Sequence, residues 1–336
     1  MKRFALVLLA SLPCKAALAQ ERANESSALV YFDPIVFHNM TLVPVATLDP
    51  GPHARYTLLE AGLEDKSLSV RELKGSSGEA EVNAVEIKNR GQLAAFLLGG
   101  EMILGGKQDR IIQSDTVLPN DGKWHKVAVF CVEQGRWAGR SMEFSGGNAM
   151  AHSELRKAAM SGDQGKVWEE VQRKNATHGT SSDTQTYRRT VQNSDLRKKV
   201  AHHVSALVSK MPKDEKLAGF VFGINGKIEV ADLFGNPILF RDLEEKLVSS
   251  YVLAALEKEE VKDAASKLDK KGAEGFLGKA RGGTKQSSTS SVRAKTFKKK
   301  SNVAFGDETI DEGSGKTLKE SYLPEPEENA APSSSK

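Results

Sequence analysis

Two short stretches hold most of the side chains that could do chemistry. Residues 99–110 read GGEMILGGKQDR, and residues 127–137 read VAVFCVEQGRW. The first places four glycines in eight positions, which costs folding entropy and calls for a backbone reason. Successive glycine N–H groups can point into one concavity that suits an anion. Lys107 and Arg110 add positive charge there, and Arg110 could hold a phosphate or carboxylate through two parallel hydrogen bonds. The stretch is not a GxxxxGK[ST] phosphate loop, which needs glycine where Glu101 stands and Ser or Thr where Gln108 stands. It does not match GxGxxG either. The alternative is two tight turns flanking a short strand, with Lys107, Asp109 and Arg110 in a surface ion-pair cluster.

In the second stretch polar residues end an apolar strand, where sites tend to be built. Gln134 could hydrogen-bond a ligand, Arg136 could pair with an anion, and Trp137 could stack on a ring. The expected ligand-binding set is therefore Lys107, Gln108, Arg110, Gln134, Arg136 and Trp137. Glu101, Asp109 and Glu133 are the candidate general bases. The alternative makes Trp137 a plug for the end of the core and pairs Glu133 with an arginine. Cys131 could be a nucleophile beside His125 or His152, but between Phe130 and Val132 it reads as a small core residue. The seven histidines show no metal spacing, and neither a metal nor a cofactor is expected.

The elements that must position these residues come from a 336-residue chain with 39% hydrophobic and 27% charged residues, ordinary for a globular protein. A net charge of +4, with no clustering of basic and aromatic residues, argues against nucleic acid. Residues 1–19 read as a signal peptide: Lys2 and Arg3, an apolar run over 4–12, and Ala17-Leu18-Ala19 before a mature start at Gln20. An exported, periplasmic or secreted, location is expected. Pro13 stands before Cys14 where a lipobox has a small residue, which argues against a lipid anchor. No later stretch is long and apolar enough for a transmembrane helix, and oligomeric state is not readable.

Residues 28–37, 40–46, 68–73, 82–88, 93–98, 110–117 and 127–132 read as strands, with Pro34 and Pro44 placing the first two at an edge or interrupting them. From near residue 150 helical patterning appears over 149–160, 166–175, 196–211 and 243–257, the last extended to about Ala280. Between them residues 219–230, GFVFGINGKIEV, form a hairpin on Asn225-Gly226. The expected fold class is α+β: a strand-rich N-terminal half, then amphipathic helices around a further β-hairpin, in a single main domain over 28–281. Residues 282–322 are expected to be a linker with possible terminal strands, Lys298, Lys299 and Lys300 a solvated run, and 323–336 a disordered tail.

The GGKQDR and CVEQGRW motifs resemble the ADP-ribosylglycohydrolase and rhodanese-phosphatase associated protein domain. The resemblance begins at NMTLVP, residues 39–44. It continues through Gly99-Gly100-Glu101, 105–110, 131–137, Gln164 to Trp168, Gly226 to Asp232 and Ser250-Tyr251. By association it implies a nucleotide-like or phosphorylated ligand, with no settled activity. The expected function is an exported domain binding such an anionic small molecule. The alternatives are a hydrolase using one of the three carboxylates and a non-catalytic envelope structural or interaction module.

Overall fold

A computed structural model describes residues 29–50, 54–74, 80–136, 144–261 and 267–325. The first half contains β1 (Leu29–Tyr31), β2 (Ile35–Phe37), β3 (Met40–Thr47), β4 (Thr57–Leu58), α1 (Leu59–Glu64), β5 (Leu68–Lys74) and β6 (Ala80–Asn89). It continues with β7 (Ala95–Leu97), β8 (Glu101–Gly105), β9 (Arg110–Ile112), β10 (Thr116–Leu118), β11 (Trp124–Cys131) and β12 (Phe144–Met150). Helices α2 (Ser153–Met160), α3 (Gln164–Thr177), α4 (Arg188–Val191) and α5 (Ser194–Val208) follow, then β13 (Leu217–Ile224), β14 (Lys227–Phe234) and α6 (Pro237–Ala255). The chain closes with α7 (Lys270–Arg281), β15 (Thr284–Ser291), β16 (Ala294–Lys300), β17 (Ala304–Asp311) and β18 (Lys316–Pro324).

This is the expected strand-rich α+β fold in one domain. A nine-stranded antiparallel sheet runs β1, β3, β13, β14, β18, β17, β16, β15, with β2 also paired to β3. Every residue of β3 and β13 is buried, because both faces of this sheet are covered. Phe220 and Phe222 face α5 and α6, packing with Leu207, Leu243 and Tyr251. Val221, one residue out of phase, packs on the other face with Leu277 and Ala280 of α7.

A six-stranded sheet, β12, β8, β9, β11, β6, β5, is packed the same way. Ile103, Ile112, Val127 and Val129 face the three-stranded sheet β10, β7, β4 through Leu97 and Leu118. Met102, Ile111, Phe130 and Val132 face α2 and α3 through Leu155, Val167 and Val171.

The hairpin forms as expected, with Asn225 at φ 50° and Gly226 at φ 77° in its turn. Pro44 is tolerated inside the large sheet for a local reason. Its carbonyl accepts from the Phe32 N–H, so its missing donor would face the gap between β1 and β2.

Five expectations are corrected. The Ser/Thr-rich stretch read as a linker is β15, paired along its length with β16. Leu323 and Pro324, read as the start of the tail, end β18; with β15–β18 in the large sheet, the main domain runs well past residue 281. The helix extended to Ala280 is two helices, each capped by its own side chain: Asn236 accepts from the Ile238 N–H and Asp269 from the Gly272 N–H. Ala149 and Met150, read as the start of a helix, end strand β12, and the helix begins at Ser153. The signal-peptide residues lie outside the described ones. Among the described residues no helix is long and apolar enough to cross a membrane.

The C-terminal strands pack too closely for side chains at some positions. A Cβ on Gly306 of β17 would stand 2.0 Å from the Ser321 carbonyl oxygen of β18. Gly306→Ala should therefore lower stability by about 1–3 kcal/mol, read by urea denaturation. An unchanged midpoint would mean that β15–β18 do not close onto the sheet as described.

Candidate functional site

The turn joining β8 to β9 requires left-handed backbone at Gly105 (φ 116°) and Gly106 (φ 55°). Asp109 closes that turn by accepting from the Gly105 N–H at 3.0 Å. The end of β11 packs against it. Glu133 accepts from the Asp109 N–H (3.2 Å) and from Arg136 Nε (2.8 Å), and Gln108 Nε2 donates to the Glu133 carbonyl (2.7 Å). Arg136 also donates to the Gly106 carbonyl at 2.8 Å. Asp109 takes further hydrogen bonds from Thr186 Oγ1 (3.1 Å) and from Arg188 on α4.

Arg110 has no exposed surface and forms two parallel hydrogen bonds to Glu72 of β5, at 3.1 and 2.8 Å. The Lys107 backbone N–H donates to the same carboxylate at 2.7 Å. The two motifs thus meet as anticipated, but their ions are neutralised in the interior, Glu133 and Asp109 by Arg136 and Arg188 and Arg110 by Glu72. Asp109, Arg110, Glu133 and Arg136 are all buried, which corrects the surface-cluster alternative. Burial pushes the Glu133 carboxyl up, but Arg136 and the Asp109 N–H outweigh it and hold it below the usual range. A carboxylate so stabilised is a weak base.

The other predicted residues lie apart. Glu101 accepts from the Leu98 N–H (2.8 Å) and pairs with Lys246 of α6 (2.6 Å). Gln134 accepts from Gln172 at 2.7 Å. Trp137 lies outside the described residues. Cys131 is buried, its Sγ 3.4 Å from the Val82 carbonyl, and burial lifts its thiol to about 11.

A different set of side chains converges where α2 crosses the large sheet. Asp232 of β14 is completely buried. It accepts from Ser321 Oγ at 2.6 Å, from the Tyr251 hydroxyl, and from Arg156 at 3.4 Å; Tyr251 and Arg156 also contact each other. Lys319 Nζ lies 3.4 Å from Asp232 and 3.7 Å from Asp115. Asp115 in turn accepts from the Gly99 N–H (2.8 Å) and Thr309 Oγ1 (3.2 Å). Burial opposes ionisation of Asp232, but Lys319 and Arg156 overcome it and pull its carboxyl far below the usual range.

This network walls a small cleft of about 30 Å³, lined among others by Gly99, Gly100, Asp115, Arg156, Asp307 and Lys319. Gly100 sits at φ 96°, and a Cβ there would meet Arg156 Cγ at 3.0 Å. Burial, with Asp115 adding, holds the Asp307 carboxyl above the usual range against the pull of Lys298, 2.8 Å away.

Met160 of α2 borders both this cleft and a broader cavity of about 530 Å³. Lys157, Lys166, Lys298, Lys299 and Lys300 line the cavity, with Phe305. Lys298, Lys299 and Lys300 have Asp307, Glu308 and Glu325 nearby, and Lys157 stands over the Phe305 ring at 5.2 Å. Five lysines against three carboxylates leave the cavity positive. The lysine run was visible in the sequence but read as solvated. Asp232, Asp307 and Lys319 carry no motif, although the resemblance had touched Asp232 and Tyr251.

One group among the described residues has cation-ligand spacing: His152, Glu154 and Glu170, with ligand atoms within 4.8 Å of one another. Its charges already have partners. His152 Nε2 meets Glu170 at 2.7 Å, Arg173 pairs with Glu170 at 2.6 Å, and Lys174 Nζ lies 3.8 Å from Glu154 and 2.7 Å from Glu257. Burial raises the Glu170 carboxyl, yet His152 and Arg173 bring it down to about 2. This reads as a buried ion-pair network with protein cations in place.

Arg110→Ala leaves Glu72 facing an empty space and should cost about 3–5 kcal/mol in urea denaturation. The pair Arg110→Met/Glu72→Leu should recover most of that loss. A single substitution costing under about 1 kcal/mol would contradict the buried pair.

No curated protein and no solved structure matches the chain at a significant level. Residues 28–322 match a family profile, so the fold, the β8–β11 motif pair and the converging network all lie inside the matched span. The chain belongs to the family of the ARG and Rhodanese-Phosphatase-superfamily-associated Protein domain, ARPP-1.

Proposed function

We propose that this protein binds a small anionic molecule, phosphorylated or nucleotide-like, in the lysine-lined cavity between α2 and the β16–β17 hairpin. The observation that carries the reading is the excess positive charge of that cavity beside a polar cleft. Its volume of about 530 Å³ is in the range of small-molecule sites. Lys157 and Lys300 suit phosphate oxygens as mobile point charges, and Phe305 offers a ring face. Charge-assisted hydrogen bonds of this kind contribute about 1.5–3 kcal/mol each. Supporting export, the leader carries the n-region, apolar run and small-x-small site of a signal peptide.

A second reading, hydrolysis of the same ligand, is favoured by Asp307. Its raised carboxyl borders the cleft, and its Oδ1 makes no hydrogen bond of good geometry. A buried carboxyl that stays raised beside its own partner, Lys298, is suited to moving a proton, whereas Arg136 holds the Glu133 carboxyl below the usual range.

Calorimetry with ADP-ribose, ribose 5-phosphate and inorganic phosphate should show saturable, salt-sensitive binding to at least one. Lys157→Ala/Lys300→Ala should weaken it roughly tenfold or more. No saturable binding, or an affinity unmoved by that pair, would overturn the proposal. Asp307→Asn should keep binding and abolish product release if the ligand is turned over; binding without products in the parent protein rules out the hydrolytic reading for these ligands. Separately, the N-terminus of protein recovered from an exporting host should be Gln20. An intact Met1 or a lipid on Cys14 would refute export by simple cleavage.

A further inference from the structure

A second cavity lies away from the lysines, between α5, α6 and the end of β12. It has a volume of about 190 Å³, and its walls include Met150, Val191, Leu196, Val200 and Leu253. Three hydroxyls border it. Thr190 is committed to Asn175 (2.7 Å), and Ser249 donates to the Glu245 carbonyl (2.7 Å). Ser250 is 2% exposed, and its Oγ is buried with no hydrogen-bond partner. An orphaned buried hydroxyl costs about 1–3 kcal/mol unless something fills its valence. Among the described residues Arg197 is the single charged one lining the cavity, and no carboxylate lines it; Arg197 is exposed and so stands at the rim.

We infer that this cavity is a binding site for a small monocarboxylic acid with an apolar body, such as a medium-chain or aromatic acid. The apolar walls take the body, Ser250 Oγ donates to a carboxylate oxygen, and Arg197 supplies the counter-charge. The size agrees: an apolar cavity of about 150 Å³ accommodates benzene in a well-known engineered protein. A neutral apolar guest would satisfy the walls but leave Ser250 and Arg197 unused. A phosphate would meet one arginine and an apolar wall, so this site and the lysine cavity differ in what they select.

The test is calorimetry on the mature chain with sodium octanoate, sodium benzoate and 1-octanol. At least one acid should bind saturably, and 1-octanol at least tenfold more weakly than octanoate. Arg197→Gln should weaken acid binding by about tenfold, a loss of 1.4 kcal/mol. Ser250→Ala should weaken it several-fold, with the thermal midpoint unchanged or higher because an orphan hydroxyl is gone. Leu253→Trp should fill the cavity and abolish binding; because Leu253 is a core residue, Val200→Phe at its partly buried position serves as the second blocking variant. Absence of saturable acid binding, equal affinity for 1-octanol, or binding that survives both blocking substitutions would overturn the inference. If Ser250 instead turns its hydroxyl onto a carbonyl of its own helix, Ser250→Ala leaves affinity unchanged, and that result too rejects the site as drawn.

Discussion

A carboxylate with no exposed surface, Asp232, decides how the layers of this protein are joined. An ionised group in that position costs several kcal/mol in desolvation unless other charges and donors answer it. Here they come from separate parts of the chain: Lys319 and Ser321 from β18, Arg156 from α2, Tyr251 from α6. Arg156 belongs to the helix that follows β12, so satisfying Asp232 pins the six-stranded sheet to the nine-stranded one. Lys319 extends the link to Asp115, beyond β9. A well-packed apolar seam could hold the layers as firmly as ions do. Keeping charge there instead makes the wall of a polar cleft, and breaks of the apolar rule concentrate at functional places.

Strand β8 connects that cleft to the motif that dominates the sequence. At one end Gly105 and Gly106 allow a turn whose groups are claimed by Asp109, Glu133 and Arg136. At the other, Gly99 and Gly100 border the cleft, where Gly100 gives room to Arg156. The two glycine pairs therefore do different things. Asp109 of GGKQDR and Glu133 of EQGRW share Arg136 across a tight turn, while Glu72 answers Arg110 and Arg188 adds to Asp109. A motif of reciprocal ion pairs can be as specific a family signature as a catalytic one, because removing any member leaves a buried charge alone.

Much of the architecture was legible. Asn225-Gly226 announced its hairpin through the turn chemistry, and the unbroken apolar run of β11 announced a central strand. Strand β15 was not, since it is TKQSSTSS, almost wholly exposed and paired on one side only. An edge strand has no buried face to impose alternation, and its composition is that of a linker. The pairing of GGKQDR with EQGRW was visible, but its burial was not: residue types do not show that Glu72, from β5, supplies the counter-ion of Arg110. The cleft was the least visible feature. Asp115, Asp232, Asp307 and Lys319 are ordinary charged residues at wide spacing, brought together only by sheet order.

Helix α6 shows the same limit from the other side. Its pattern reads as amphipathic, yet from Leu247 to Ala255 every residue but Ser249 is buried. The helix is surrounded, not laid on a surface. Successive residues on a helix are rotated by about 100°, so Ser250 and Tyr251 face different neighbours: Ser250 the apolar cavity, Tyr251 the Asp232 network. Asn236 caps the start of the helix, and Lys246 ties its middle to Glu101 beside the Gly99-Gly100 pair. With those anchors the helix cannot turn to adjust one environment while leaving the other in place. The hydroxyl at 250 and the phenol at 251 are set by a single rigid element, and the geometry of each cavity constrains the other.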